Sequence, residues 1–240
     1  MSQQQRLQDV ERFYAILDRL EHRVGGKRVL ANCHGRMGWP RRGVYFFFEV
    51  GEVRSTSGSG PRVVRVGTHA LRVGSRRTLW ARLSTHQGVM GGRNAGGGNH
   101  RGSIFRQHVG RALIRRDSWA DSIAGQWDVG SSAPAPVTER ERPLERAVSE
   151  VIRGMPFLWV EIDDPPGPDS QRGFIERHAI ALLSNASGGL AIDPPSASWL
   201  GQWAPAPEIR SSGLWNVEHT ADGYDSSFLD AFERYVEAMG

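Results

Sequence analysis

The sequence predicts a mixed α/β fold in which three short strands are flanked by helices. Three apolar runs rich in β-branched and aromatic residues predict the strands, at Val44–Val50, Val63–Thr68 and Phe157–Ile162. The turn-forming sequence Ser-Thr-Ser-Gly-Ser-Gly-Pro joins the first two runs and predicts a hairpin. Apolar residues at helical spacing predict helices at Gln3–Arg23, Thr78–Gln87, Ile104–Arg116, Pro143–Arg153, Ser170–Ser184 and Phe228–Ala238.

The two faces of the first predicted strand differ. Phe46 and Phe48 alternate with Tyr45, and successive side chains of a strand point to opposite sides of the sheet. We therefore expect the two phenylalanines in the core and Tyr45 on the other side. After the second strand, Arg82 and His86 are four residues apart, so a helix places them on one face.

Charge is distributed unevenly along the chain. Residues 1–126 contain 22 Lys and Arg against 8 Asp and Glu, whereas residues 127–240 contain 8 against 18. Between Val53 and Arg116 there are 13 arginines and no acidic residue. Such a segment is typical of nucleic-acid binding, because the arginine fork suits phosphate contacts. The alternative is a solvated arginine-rich surface, which the complete lack of acids over this segment disfavours.

Length and composition favour a soluble globular protein. The chain of 240 residues has an ordinary apolar content, and it has no run of 18 apolar residues that would predict a transmembrane helix. The N-terminus is polar and lacks the apolar core of a signal peptide. Cys33 is the single cysteine, so we expect no intramolecular disulfide, a reducing cytoplasmic location and no membrane partner.

An ordered set of short motifs resembles the GIY-YIG nuclease superfamily, including its restriction-endonuclease-like members. Gly43-Val44-Tyr45 stands where that family has its first motif, and Arg65-Val66-Gly67 stands where it has its second. The following helix resembles the one that carries the family's arginine and, in several restriction enzymes, a histidine one turn later. The remaining matches are a helical glutamate in GFIERHAIALL and a late asparagine in SGLWN, so that the full order is Tyr45, Gly67, Arg82, His86, Glu176, Asn216.

The resemblance covers the chain from about Gly43 to Asn216 and implies a particular fold. That fold is a small, mostly antiparallel three-stranded GIY-YIG-type sheet flanked by helices, with N- and C-terminal additions. The expected organisation is an N-terminal helical extension over residues 1–40, a nuclease domain over 41–220 and a C-terminal helix over 221–240. Insertions are expected within the nuclease domain at about 88–102 and 117–155.

The resemblance also implies a division of labour among the site residues. Tyr45 would act as the base or position the attacking water, with His86 assisting. Arg82 would stabilise the charged phosphate, because negative charge accumulates on the phosphoryl oxygens in the transition state. Glu176 would hold Mg²⁺, or Mn²⁺, since a hard cation that keeps several waters can be bound through one carboxylate. Asn216 would support the site.

Several of these assignments have alternatives. The family usually has tyrosine where this chain has Arg65, which could bind phosphate or simply lie on the surface. The adjacent His69 could share proton handling, since histidine titrates near neutral pH. Glu176 could be an exposed helical acid, and Asn185 is a second candidate for the late asparagine.

A glycine-rich stretch and the helix after it predict a nucleic-acid-binding block. Ser103 is a plausible N-cap, and a helix N-terminus flanked by basic residues can hold a phosphate. Arg106 is expected outside the buried stripe of that helix. The residues expected to bind nucleic acid are Arg93, Asn99, His100, Arg101, Ser103 and Arg106.

The sequence thus favours a divalent-metal-dependent endonuclease that hydrolyses phosphodiester bonds, with DNA as the leading substrate. One alternative is a non-catalytic nucleic-acid-binding module with a degenerate nuclease site, which the arginine at the second motif allows. The other is an RNA-directed nuclease, because arginine-rich charge does not separate DNA from RNA.

Overall fold

A four-stranded antiparallel sheet forms the centre of the fold. The computed structural model describes residues 2–91, 96–186 and 188–239. The strands of the sheet are β1 (Arg28–Val29), β2 (Gly43–Val53), β3 (Pro61–Gly67) and β4 (Pro156–Glu161). Their order is β1-β4-β2-β3, so that β4 and β2 are central and β3 lies at an edge.

Eight α-helices accompany the sheet within the described residues. Short 3₁₀ helices lie at Leu30–Asn32, His100–Gly102 and Leu200–Trp203. The α-helices are α1 (Gln3–Val24), α2 (Leu79–Gln87), α3 (Ile104–Asp117), α4 (Asp121–Ala124), α5 (Ala135–Gly154), α6 (Gln171–Leu183), α7 (Pro207–Ser212) and α8 (Ser227–Ala238).

The mixed α/β class is confirmed, and the number of strands is corrected from three to four. The additional strand is β1, whose two residues pair with Phe157 and Pro156 at the edge of β4. Two residues are too few to show any alternation of polar and apolar side chains, so only the pairing with β4 defines this strand. All pairings within the described sheet are antiparallel.

The long helix α5 differs from its predicted start. It begins at Ala135, eight residues before Pro143, which lies inside the helix. Proline lacks the backbone N–H for the intrahelical hydrogen bond, so the sequence pattern favoured a helix that started there. The buried side of α5 includes Leu144, Val148 and Ile152, whose packing against the second core stabilises the helix around the proline.

Both faces of the sheet are buried, each in its own hydrophobic core. Val44, Phe46 and Phe48 point into a core formed with α1, α6 and α8. Tyr45 and Phe47 point to the opposite side, into a core formed with α2, α3 and α5. The predicted opposition of Tyr45 and Phe46 is confirmed, and the phenol itself is fully buried.

The two terminal helices share one core with the sheet. Phe13 of α1 contacts Phe232 of α8 and Phe46 of β2, with ring centroids 5.7 Å apart in each pair. Both terminal helices therefore pack on the same face of the sheet. The domain boundaries expected at residues 40/41 and 220/221 stay a prediction. In the part of the chain that the structure describes, no helix has the length and apolar character needed to cross a membrane.

Candidate active site

Gly67 makes room for the phenol of Tyr45. The two residues are cross-strand partners in the β2–β3 hairpin. A Cβ atom on residue 67 would lie 2.5 Å from the Tyr45 Cζ and hydroxyl oxygen, which is closer than any real side-chain contact. Only glycine therefore lets the ring lie across β3, and this is the physical reason for a glycine at the end of the second motif.

Tyr45, His86 and Ser103 form a buried hydrogen-bonded chain. The Tyr45 hydroxyl lies 2.9 Å from Nε2 of His86, and Nδ1 of His86 lies 2.7 Å from Oγ of Ser103. Ser103 is the N-cap of α3, where its Oγ accepts a hydrogen bond from the backbone N–H of Arg106, as predicted for a cap. The sheet, α2 and the start of α3 thus meet at one imidazole.

The surroundings of His86 favour a neutral ring. Burial lowers its pKa well below the ordinary value, and the positive charges of Arg82 and Arg65 lower it further. A neutral His86 can donate from Nδ1 to Ser103 and accept at Nε2 from the Tyr45 hydroxyl. The imidazole is then a hydrogen-bond acceptor for the phenol.

Four of the predicted site residues line one cleft of about 420 Å³: Arg65, Arg82, Glu176 and Asn216. Tyr45 and His86 are fully buried and do not line the cleft themselves. Arg65 links the buried pair to the cleft. Burial has the largest effect on the pKa of Arg65 and lowers it, the Tyr45 phenol raises it, and the charge of Arg82 lowers it.

Arg65 is buried, so the surface alternative for this residue is wrong. Its side chain donates from Nη1 to the backbone oxygen of Trp215, and its guanidinium lies 4.7 Å above the ring of Phe105. Burial lowers its pKa, which the nearby phenol of Tyr45 opposes. Arginine stays charged at neutral pH even so, because its ordinary pKa is above about 12. A fixed cation therefore lies beside the phenol.

Arg82 carries the available positive charge of the cleft. It is half-buried on α2, and its strongest hydrogen bond is a long one of 3.5 Å to the backbone oxygen of Gly102. Within the described residues, no carboxylate lies at ion-pair distance from this guanidinium. The side chain is therefore free to bind an anion that enters the cleft.

Glu176 is partly buried and has one oxygen engaged. Its Oε1 accepts a hydrogen bond of 2.9 Å from the backbone N–H of Thr68, directly after β3. Burial raises the pKa of this carboxyl, and the charge of Arg65 opposes that change. The position does not fit an exposed helical acid, since the side chain lines the cleft.

Asn216 extends the sheet by one peptide-like group. Its Nδ2 donates to the backbone oxygen of Val66 over 2.9 Å, and its Oδ1 accepts from the backbone N–H of Val66 over 3.2 Å. The side-chain amide therefore pairs with the outer edge of β3. Asn185, the second candidate, hydrogen-bonds instead to the backbone of Ile192 and to Arg6, and it does not line this cleft.

His69 lies apart from the cleft-lining residues. Its side chain is buried, and burial together with the positive charge of Arg172 lowers its pKa to about 4. Arg172 also donates from Nη1 to the backbone oxygen of His69. Its suggested part in proton handling stays a prediction.

Arg106 and His100 are buried around Glu145, which corrects the expectation of an exposed Arg106. The guanidinium is fully buried, and its Nε and Nη2 donate to Oε2 of Glu145 over 3.1 and 2.5 Å. Nδ1 of His100 lies 2.8 Å from Oε1 of the same carboxylate. Burial would raise the pKa of Glu145, but the hydrogen bond from His100 and the charge of Arg106 hold it below its usual value. Neither residue presents a free donor to a phosphate.

Arg101 is also paired within the protein. Its Nη1 and Nη2 form a bidentate ion pair with Glu141 over 2.6 and 2.7 Å, and both side chains are almost fully buried. Asn99 is exposed, and its side chain accepts from the backbone N–H of Arg101. Arg93 lies outside the described residues. The phosphate-binding role expected for this block therefore lacks free cations in the residues that the structure describes.

Two features of the site were missed by sequence reasoning. Arg72, Arg76 and Arg77 are exposed on the loop between β3 and α2, and none forms an ion pair within the described residues. The sequence shows that the acid-free segment is positively charged, but it does not show which of its arginines form ion pairs in the folded protein. The second feature is two histidines of the cleft, His108 and His219, for which the sequence offered no motif.

The donor set at Glu176 suits one hard divalent cation. No group of three or more His, Cys, Asp or Glu side chains that could hold a metal occurs in residues 2–91, 96–186 and 188–239. One carboxylate with an oxygen left over is sufficient for Mg²⁺, which keeps several waters and takes further oxygens from substrate phosphates. The cleft thus fits a metal held jointly by the protein, water and substrate.

Replacing Arg106 by Met should destabilise the protein strongly. The change leaves the buried carboxylate of Glu145 with one fewer partner, which typically costs about 3–5 kcal/mol. Urea unfolding measures the loss. Arg115→Met, on an exposed position of the same helix, is the control and should stay within about 0.5 kcal/mol of the wild type. Equal stabilities of the two variants would contradict the structural role of Arg106.

Acid should destabilise the native protein through its buried histidines. Burial, then Arg65 and Arg111, lower the pKa of His108 to about 4, whereas an unfolded histidine titrates near 6.5. Below about pH 6.5 the unfolded chain therefore binds more protons, and the free energy of unfolding falls by about 2 kcal/mol per such histidine at pH 5. His108→Gln should flatten this dependence between pH 7 and 5, whereas His22→Gln, at an exposed position, should not. Parallel curves for all three proteins would contradict the assignment.

Comparison with known families agrees with this geometry. A family model described as the GIY-YIG domain matches residues 4–240, which is nearly the whole chain. Searches of curated proteins and of solved structures gave no significant match. The matched range covers the whole sheet and the cleft. The chain therefore belongs to the GIY-YIG domain family, which consists of endonucleases.

Proposed function

We propose that the protein is a divalent-metal-dependent endonuclease that hydrolyses phosphodiester bonds, with DNA as its substrate. The observation that carries the proposal is the convergence of three groups on one cleft. Arg82 supplies an uncompensated cation, Glu176 a carboxylate and Asn216 a fixed amide, with the Tyr45–His86 pair buried behind them. Family membership supports the reaction class, and the cleft supports these residues in these roles.

Arg82 binds the scissile phosphate in this proposal. The phosphoryl oxygens become more negative as the attacking water approaches, so a preorganised guanidinium stabilises the transition state more than the ground state. Arg82 suits this role because its guanidinium has no carboxylate partner among the described residues. The other cleft arginine, Arg65, is already bound to the backbone oxygen of Trp215.

Tyr45 and His86 position the attacking water. Nε2 of His86 holds the Tyr45 hydroxyl through the 2.9 Å hydrogen bond that joins them, and the phenol oxygen in turn accepts a hydrogen bond from the water. Arg65, which lies beside the phenol, favours the negative charge that develops on the attacking oxygen. Ser103 holds the imidazole from the other side. The role that the family gives to a second tyrosine is thus filled by a cation.

Glu176 would hold the divalent metal, because one of its carboxylate oxygens is not engaged by Thr68. When bound, the metal supplies Lewis-acid stabilisation of the phosphate and its leaving oxygen. The hydrogen bond from the Thr68 backbone orients the carboxylate toward the cleft. Asn216 keeps β3, and with it Thr68, at a fixed distance from the segment that closes the cleft.

The loop between β3 and α2 binds the substrate backbone. In this proposal Arg72, Arg76 and Arg77 contact the phosphates, a role that the sequence had assigned to Arg101 and Arg106. The latter two form ion pairs with Glu141 and Glu145. Arg77 lies close enough to the site for its charge to act on His69 and His86. An exposed arginine cluster without ion pairs among the described residues suits the regular phosphates of a nucleic-acid strand.

A non-catalytic nucleic-acid-binding module is the second candidate. Two observations favour it: Arg65 stands in place of the second tyrosine, and the phenol of Tyr45 is fully buried. Incubation with plasmid, single-stranded DNA and RNA, with and without Mg²⁺ or Mn²⁺, separates the two candidates. The same assay separates DNA from RNA as the substrate.

Cleavage should require the metal and Glu176. The Glu176→Gln variant keeps the hydrogen bond from Thr68 but loses the negative charge that binds the cation. We expect it to fold normally, as judged by thermal melting, and to cut no plasmid at any Mg²⁺ concentration. Glu161→Gln, at the exposed end of β4, is the control and should cut normally. Full cleavage in EDTA, or by Glu176→Gln, would remove the metal from the proposal.

Arg82 should matter for turnover more than for affinity. Loss of one transition-state donor commonly costs about 10²–10³ in rate, equivalent to about 3–4 kcal/mol. Arg82→Ala should therefore bind DNA almost normally and cut it very slowly in single-turnover experiments. Arg82→Lys should recover part of the rate, since lysine keeps the charge without the planar fork. A lowered melting temperature with a rate that falls in proportion would instead assign Arg82 a structural role.

The exposed loop arginines should set the salt dependence of binding. The logarithm of the association constant falls linearly with log[salt], and each phosphate contact contributes about 0.9 to the steepness of that fall. Replacing Arg72, Arg76 and Arg77 by Ala should therefore make the slope less negative by about 3. Fluorescence anisotropy with labelled duplex DNA over a range of NaCl concentrations measures the slope. Arg234→Ala, exposed on α8, is the control and should leave it unchanged. An unchanged slope in the triple variant would place the DNA on another surface.

A further inference from the structure

We propose that the cleft holds one nucleobase of the substrate next to the scissile phosphate, and that the edge of this base hydrogen-bonds to His108. This inference rests on the proposed nuclease function and names a substrate contact within it. It follows from one buried side chain and from the apolar lining around it.

His108 is a buried polar group without a partner. The residue is 4% exposed and lies on α3, where it lines the cleft. Neither of its ring nitrogens has a hydrogen-bond partner in the part of the chain that the structure describes. Buried polar atoms are nearly always hydrogen-bonded, so an unpaired imidazole at the wall of a cleft indicates a ligand that completes it.

The surroundings of His108 suit a flat, partly apolar ligand. Ile104 lies one helical turn before it on α3, lines the same cleft and is 50% exposed. Ile180, Trp215 and Val217 also line the space. Ligand sites are typically apolar with a few polar groups that set orientation, and about 420 Å³ is within their usual range. A phosphate alone would not use this apolar lining.

The charge state of His108 fits a base edge. Burial, followed by the positive charges of Arg65 and Arg111, lowers its pKa to about 4, so the ring is neutral at pH 7. A neutral imidazole offers one donor and one acceptor. The edges of nucleobases present donors and acceptors side by side, so either tautomer can pair with such an edge. Of the two arginines that line the cleft, Arg82 binds the adjoining phosphate, whereas Arg65 is engaged by the backbone oxygen of Trp215.

The base must leave its stack to reach His108, as in other enzymes that take a base into a pocket. We therefore expect cleavage to be favoured where a base is unpaired or mismatched beside the cut. We also expect a base preference at one position that flanks the scissile bond.

The test compares base preference between the wild type and variants of the pocket. Products of a randomised duplex library are end-sequenced, which gives the cut position and the base frequency on each side. We expect a preference of about tenfold at one flanking position, the size of a single good hydrogen bond. His108→Phe should abolish this preference, His108→Gln should keep part of it, and the exposed control His22→Phe should match the wild type. Ile104→Ala, which changes an exposed position, should weaken the preference without lowering the melting temperature.

A second measurement follows the base directly. 2-Aminopurine at the preferred position should become brighter on binding to Glu176→Gln, because its fluorescence rises when it leaves the stack, and not on binding to Glu176→Gln/His108→Phe. Cleavage by folded His108→Phe with the wild-type preference would overturn the pocket while leaving the nuclease intact. Absence of cleavage on every nucleic acid would instead overturn the proposed function.

Discussion

The fold depends on the contact of the Tyr45 phenol with Gly67 and His86. Because residue 67 has no Cβ, the ring crosses β3, and its hydroxyl reaches an imidazole on α2. That imidazole in turn holds the N-cap of α3 through Ser103. One tyrosine thus connects the central sheet to two helices of the second core. Any substitution that moved the ring would misplace the cleft arginine on α2 together with the start of α3.

The two halves of the chain complete one another electrostatically. The arginines of the acid-free segment repel one another unless acidic residues from elsewhere in the chain neutralise some of them. Glu141 and Glu145 of α5 neutralise Arg101 and Arg106, so that these ion pairs join α5 to the 3₁₀ helix at His100–Gly102 and to α3. Among the described residues, the cleft arginines and those of the neighbouring loop have no such partner. Pairing by distant carboxylates therefore decides which positive charges remain available for a substrate.

Much of this arrangement could be predicted from the sequence, for identifiable physical reasons. The strands β2, β3 and β4 have strong apolar patterns, and Arg82 and His86 are related by local helical geometry. Gly67 could be identified as the end of the second motif, and Ser103 as the N-cap of a helix, because both assignments depend only on neighbouring residues. The two-residue strand β1 could not be predicted, since only its pairing with β4 creates it.

The burial and ion pairing of the other charged side chains could be determined only from the three-dimensional structure. Arg106 and Glu145 are 39 residues apart, and no pattern along the chain links them. The same holds for His108, whose significance lies in what surrounds it. Sequence patterns report which residues share an element, whereas burial and ion pairing depend on which elements meet. The structure brings most of the motif residues together and pairs Arg101 and Arg106 with carboxylates, whereas the functional roles of both sets stay predictions.

The segment after α7 has a consequence for association between molecules. β3 is an edge strand, and the exposed backbone of such a strand is a template for pairing with another chain. Trp215 donates its backbone N–H to the oxygen of Val64, and the Asn216 amide covers both backbone groups of Val66. The asparagine that supports the cleft thus also shields the sheet edge. Its loss would expose a strand ready to pair with another copy, so that aggregation would accompany inactivation.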